Sequence, residues 1–236
     1  NANAIAQRLY DALKASDVYD RKLKMYKICE SLKNASYELG RATAFTSGWL
    51  ENESVFLHME YKYFLQLLKS GLYDEYYTTI KDALVPFLDP AMYGRSILEN
   101  SSFIASSANP DESVHGTGFV ARLSGSTVEM LEMWAVMFAG KTPFTFENGV
   151  LTFALHPALP EWLFDEKDQA AFTLLGNINV IYHNPSRKNT YDGLTVQAME
   201  ITKQDGTKYT AGSALTGEDA VAVRNGDVKE IVVELG

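Results

Sequence analysis

Apolar residues recur at helical spacing until about Ala139 and at strand spacing from about Pro143 onward, and no single element satisfies both periods. Two kinds of architecture must therefore follow one another along this chain. The clearest helical stretch is 52–69, where Leu57, Tyr61, Phe64 and Leu68 fall at i, i+4, i+7 and i+11. Phe56, Tyr63 and Leu67 widen that surface, which then calls for packing on two sides. The same period predicts helices over 5–15, 18–39 and 74–85, the last stopped by Pro86 and Pro90, with Gly48 breaking the chain between the second and the stretch at 52–69. A further helix follows Ser126, carrying Val128, Leu131, Ala135 and Phe138, with Gly140 as its C-cap. Between them, 93–123 is rich in Ser, Gly and Asn without sustained period and reads as a long irregular, functional segment.

Beyond Pro143, the runs 150–155, 172–182, 194–201 and 230–235 are rich in β-branched and aromatic residues, and 204–207 and 224–227 read as turns between strands. The expectation is an α+β chain, with a helical domain over 1–142 and a small antiparallel β-sandwich-like domain over 143–236.

Charge narrows the partners. The net charge of −9 repels nucleic acid and anionic lipid, and Lys22-Leu23-Lys24 and Arg187-Lys188 are the densest basic clusters. No run approaches the ~20 apolar residues of a membrane span. One cysteine, Cys29, allows no disulfide within the chain and no thiolate metal site, and four scattered histidines could form a metal site only through folding, so none is expected. A cytoplasmic protein is expected, without nucleic acid or membrane partners. The opening Asn1-Ala2-Asn3-Ala4, without an initiator methionine, reads as a cut inside a longer protein.

Four segments carry candidate chemistry. Gly116-Thr117-Gly118-Phe119-Val120-Ala121 spells the dinucleotide fingerprint, yet a polar Asn-Pro-Asp-Glu-Ser precedes it where a strand is required, so a flexible loop is the better reading. Ser124-Gly125-Ser126 opens into a helix, where amides and the positive helix end suit an anion; a capping box of Ser126 with Glu129 would satisfy the same amides internally. Glu51-Asn52-Glu53-Ser54 and Glu99-Asn100-Ser101-Ser102 place carboxylates beside amides and hydroxyls, a combination that suits sugar hydroxyls and acid–base work as well as plain capping and solvation. The 25 Tyr and Phe residues offer faces for stacking on sugar rings as well as core.

From Tyr93-Gly94-Arg95-Ser96 through Glu99-Asn100-Ser101-Ser102-Phe103 to Arg122-Leu123-Ser124-Gly125-Ser126-Thr127, the sequence resembles the C-terminal part of large bacterial cellobiose phosphorylase-like proteins. These are similar to the inverting disaccharide phosphorylases of the cellobiose and chitobiose type. The resemblance is best over 46–164 and implies the last helices of an (α/α)6 toroid barrel, followed by a β-sandwich-like domain. It implies that Ser124, Gly125 and Ser126 stand where the family's Thr-Gly-Ser/Thr turn binds phosphate, with Glu129 replacing an aromatic. Glu99 resembles the family's acidic residue near the sugar, with Asn100 and Ser101 in place of a Pro-Tyr pair. Glu53 takes the place of a phosphate-binding histidine.

A carboxylate at that place repels phosphate and is a candidate base toward water, which separates hydrolysis from phosphorolysis. The resemblance puts the catalytic acid upstream of this chain, so the chain alone is expected to be inactive. The reading is thus a fragment of an inverting enzyme acting on β-linked gluco-oligosaccharides, with Glu53 as base, Ser124, Gly125 and Ser126 at the anion, and Glu99 and Asn100 at the sugar. It needs no cofactor, only inorganic phosphate as a candidate co-substrate. Its partners would be the oligosaccharide, the rest of its own chain and, in one version, a second copy in a homodimer. The alternative is a non-catalytic carbohydrate-binding or structural module.

Overall fold

The computed structural model describes residues 2–121 and 124–236, the side chains of 2, 121, 124 and 125 excepted. It divides into two compact units, Asn1–Met133 and Trp134–Gly236. Both helices and sheets are present, so the chain is α+β.

The first unit opens with helix α1 (Ala2–Ala15) and a short hairpin of β1 (Tyr19–Asp20) and β2 (Met25–Tyr26). Here the helix expected over 18–39 is corrected. Asp20 turns the chain instead, its Oδ1 accepting from the amides of Lys22 and Leu23 at 3.0 and 3.1 Å, and Lys24 takes a left-handed φ of 56°. A carboxylate that captures the next amides competes directly with helix formation. Downstream, only a 3-10 stretch (Tyr37–Ala44) is helical, kinked at Gly40.

The helix expected over 52–69 begins later, because Val55–Phe56 forms strand β3 before α2 (Leu57–Lys69). Its predicted ladder is correct: Leu57, Tyr61, Phe64 and Leu68 are all fully buried. Helix α3 (Tyr73–Ala83) packs back on α2, and the short α4 (Pro90–Tyr93) follows, capped by Asp89 and ended by Gly94 in the left-handed region.

The segment expected to be irregular contains two strands, β4 (Ser101–Ile104) and β5 (Gly118–Ala121), and these build an antiparallel sheet in the order β3-β4-β5. The expectation failed because the strands are four residues long, too short for a period to declare itself. Gly118, the second glycine of the fingerprint-like run, opens β5 rather than a helix. Its need for glycine is steric: a Cβ there would stand 2.3 Å from Tyr93 Cε2 and 2.7 Å from Ser101 Oγ.

Helix α5 (Ser124–Ala139) crosses the division between the units. It begins two residues before Ser126, so Ser126 lies inside the first turn and is not the N-cap of a capping box.

In the second unit, β6 (Phe144–Glu147) and β7 (Val150–Ala154) form a hairpin that β12 (Ala214–Thr216) extends. A second sheet contains β8 (Gln169–Leu174), β9 (Ile178–His183), β10 (Val196–Lys203), β11 (Lys208–Ala211) and β13 (Val228–Leu235), in the order β11-β10-β13-β9-β8. The run at 172–182 is therefore two strands joined at Leu175-Gly176. Pairing is antiparallel except between β13 and β9, which are parallel, Ile231 opposite Val180 and Val233 opposite Tyr182. That one pair departs from the all-antiparallel expectation, and it requires a crossover. The helix α6 (Glu218–Asn225) lies within it and packs on β7 and β12. The expected turn at 224–227 is the end of this helix, with Gly226 as its left-handed C-cap.

The β13 residues Val228, Ile231, Val233 and Leu235 alternate into the core with Val180, Tyr182, Met199 and Ile201. Among the described residues no helix is long and apolar enough to cross a membrane.

Candidate functional site

Glu53 is held by backbone geometry before its side chain does anything. Trp49 and Asn52 pair across a tight turn in which Leu50 has φ 49°, and Glu53 itself has φ 59°, a conformation costly for a residue with a Cβ. Asn52 locks the turn by donating from Nδ2 to the carbonyl of Phe45 at 2.8 Å, and the Ser54 hydroxyl donates to the carbonyl of Leu50. The chain leaving β2 docks here, as Ile28 N–H donates to the Ser54 carbonyl at 2.8 Å. This bond brings the preceding residue, Lys27, onto Glu53.

Lys27 Nζ lies 2.8 Å from Glu53 Oε1, and both side chains are nine-tenths buried. The other carboxylate oxygen of Glu53 has no hydrogen-bond partner among the described residues. Both residues line a polar cleft of about 430 Å³ with Tyr19, Asp20, Ser31 and Ser107. Asp20 is spent on structure: besides the two amides of its own turn, it accepts from the Ser107 hydroxyl and amide, each at 2.7 Å. Asp17, at the rim, is exposed and lies 3.9 Å from Arg21, so Glu53 is the buried carboxylate of this cleft with an oxygen to offer.

Nearby, Glu60 is completely enclosed in α2, and burial pushes its carboxyl up to about 8, against the lowering effect of the Tyr26 amide that donates to Oε1 at 2.8 Å. Its Oε2 has no hydrogen-bond partner among the described residues.

Glu99 and Asn100 do not join Glu53. Strand β4 separates them: Ser106 and Ser107 follow one end of it, beside the Glu53 turn, whereas Glu99 and Asn100 precede the other. Glu99 is partly exposed, 3.1 Å from Arg95 Nη1, and its carbonyl accepts from the Tyr93 hydroxyl at 2.7 Å. Arg95 also donates to the Gly118 carbonyl at 2.8 Å. Asn100 faces inward, its Oδ1 accepting from the buried Tyr61 hydroxyl at 3.0 Å, which makes it part of the packing.

Of Ser124-Gly125-Ser126, the Ser124 side chain lies outside the described residues. The Ser126 side chain is buried, and its Oγ has no hydrogen-bond partner among the described residues. Glu129 pairs with Lys62 of α2 instead of turning back to cap its own helix.

Lys27 and Ser107 escaped the sequence reading. By spacing, Lys27 is one of the charges between apolar positions of a helix that does not form, and Ser107 falls in a stretch without period. Among the described residues, no group of three or more His, Cys, Asp or Glu side chains could hold a metal ion. His115 illustrates the scatter: Lys22 Nζ donates to its Nδ1 at 2.8 Å, so Nε2 carries the proton given to the Asn109 carbonyl at 2.7 Å. No known family model matches this chain, and no curated protein does.

Proposed function

We propose that this chain is the C-terminal portion of a larger carbohydrate-active enzyme that cleaves or phosphorolyses β-linked gluco-oligosaccharides with inversion. Its first unit would supply the last helices of an (α/α)6 toroid, and its second an accessory β-domain. The observation that carries the reading is the Glu53 cleft, in which a buried carboxylate is fixed by Lys27 through one oxygen and open at the other, with serine and tyrosine hydroxyls around it. Such a carboxylate accepts from a sugar hydroxyl or takes a proton from water. The successive, mutually packed helices α2 and α3 support the helical part. So does α5, which leaves Val128 and Leu131 more than half exposed although its other face is buried, as a helix does when further chain completes its surroundings. Ser126, with its unpartnered hydroxyl, would lie toward the attacking phosphate or water, and Glu99 toward the sugar. Inorganic phosphate is the co-substrate in the phosphorolytic version.

The test uses the native full-length protein with cello-oligosaccharides, with and without inorganic phosphate. A sugar 1-phosphate formed only with phosphate marks phosphorolysis, and reducing sugar formed without it marks hydrolysis. No product under either condition, with retention on polysaccharide, would overturn the enzyme reading in favour of the binding module.

A further inference from the structure

A second cleft lies wholly inside the Trp134–Gly236 unit, remote in sequence from Glu53 and unused by the reading above. It measures about 360 Å³, within the size range of small-molecule sites, and is lined by Glu161, Trp162, Phe164, Asp165, Asp168 and Arg187. It sits at the open end of the β8–β9 hairpin, where Gln169 pairs with His183. Two loops form its walls, and side chains and amides stitch them together. Thr190 donates its hydroxyl to the Pro157 carbonyl at 2.7 Å and accepts from the Leu159 amide at 2.8 Å, while Asn189 Oδ1 accepts from the Glu161 amide at 2.9 Å. Asp165 accepts the amides of Lys167 and Gln169 through Oδ1, and these bonds hold its carboxyl below the usual aspartate value, so that it remains ionised.

Asp168 and Arg187 both adopt left-handed φ, 62° and 50°, although neither is glycine, and they bond to each other through Arg187 Nε. Arg187 is further fixed by the Glu166 carbonyl at 3.2 Å. Strain at two mutually bonded residues on one cleft is the kind of arrangement that binding sites retain. What these anchors leave over is informative. Arg187 Nη1, the second oxygens of Asp165 and Asp168, and the Glu161 carboxylate have no hydrogen-bond partner among the described residues. The Trp162 residue remains 38% exposed at the cleft.

We propose that this cleft binds a neutral pyranose unit, its C–H face on the Trp162 indole and its hydroxyls shared between Asp165, Asp168 and Arg187. An indole offers a flat apolar plate, whereas adjacent hydroxyls of a sugar ring both donate and accept, so they need carboxylates and a guanidinium together. Three carboxylates against one guanidinium disfavour an anion, and the Arg187–Asp168 pair sets hydrogen-bond donors and acceptors side by side as a sugar requires. The ligand class is that of the proposed function and rests on it, but the site is separate from the Glu53 cleft.

The test is titration of the 236-residue chain with cellotetraose by calorimetry, with choline and inorganic phosphate as comparison probes. Saturable cellotetraose binding with a Kd of about 0.1–5 mM is expected, weakened about tenfold or more in Trp162→Ala and in Arg187→Met. Trp162→Phe, which keeps a ring, should retain part of the binding, and unchanged circular dichroism of each variant separates lost binding from lost fold. Binding lost in Glu53→Gln but kept in Trp162→Ala would overturn this site and leave the carbohydrate reading standing. No saturation by about 20 mM cellotetraose overturns the site, and choline or phosphate binding in its place overturns its ligand class.

Discussion

Lys27 and Glu53 are each other's ionic partner, 2.8 Å apart and screened from solvent, although 26 residues separate them. Removing one member leaves the other charged and buried, the expensive half of a buried pair. Lys27→Met should therefore destabilise the chain by about 3 kcal/mol, and the double variant Lys27→Met/Glu53→Gln should regain most of that loss. Urea unfolding of the two variants checks it; equal losses would show that the pair is not coupled.

In the proposed full-length enzyme, Glu53→Gln should lower turnover by about two orders of magnitude or more, since an amide cannot take a proton. A fall below about threefold would remove Glu53 from the chemistry.

Glu60 makes stability depend on pH. Its folded value of about 8 lies above the ordinary 4.5, so between the two the folded chain binds a proton that the unfolded chain has released. Its contribution is whole below the unfolded value and is lost as pH rises toward 8, by up to about 1.4 kcal/mol per pH unit. Unfolding free energies at pH 5, 6, 7 and 8 should slope downward, and Glu60→Gln should flatten that slope.

The two residues assigned to the sugar should separate. Asn100→Ala removes the acceptor of the buried Tyr61 hydroxyl and should cost about 1–3 kcal/mol of stability. Glu99→Gln, at a half-exposed ion pair, should leave stability within about 1 kcal/mol and raise KM of the proposed full-length enzyme. Thermal melts and kinetics of the pair read both effects.

Gly118→Ala forces a methyl into the ring of Tyr93 and should cost about 2 kcal/mol or more, read as a fall in melting temperature. If Gly118 instead served a dinucleotide, the variant would keep its stability and lose nucleotide affinity.

The apolar ladder of α2 was legible because every residue in it answers to one period and one core. The hairpin at 19–26 was not, because its cause is the carboxylate of Asp20, which also reaches the amide of Ser107, 87 residues away. Glu53 could be singled out as a carboxylate among amides, yet its meaning depends on Lys27, delivered by a backbone bond between Ile28 and Ser54 that no spacing announces. The letters Arg224-Asn225-Gly226 fit a hairpin turn as well as a helix end, because both use a left-handed glycine, and only the buried Ala220 and Val223 of α6 decide between them. At the second cleft, Arg187 was visible only as a basic neighbour of Lys188, since its placement depends on a backbone angle and on loops from both sides of a hairpin.

The place of β13 in its sheet has a consequence for how this protein comes into being. The β8–β9 and β10–β11 hairpins can each close from neighbouring residues, but they flank β13, the latest of the five strands to leave the ribosome. Until it emerges, two preformed ribbons wait with bare edges, and the barrier left is one long-range insertion with its loop-closure entropy. Assembly of this unit is thus timed by the emergence of β13, and the interval before it is when the two ribbons are most exposed to strand pairing with other chains.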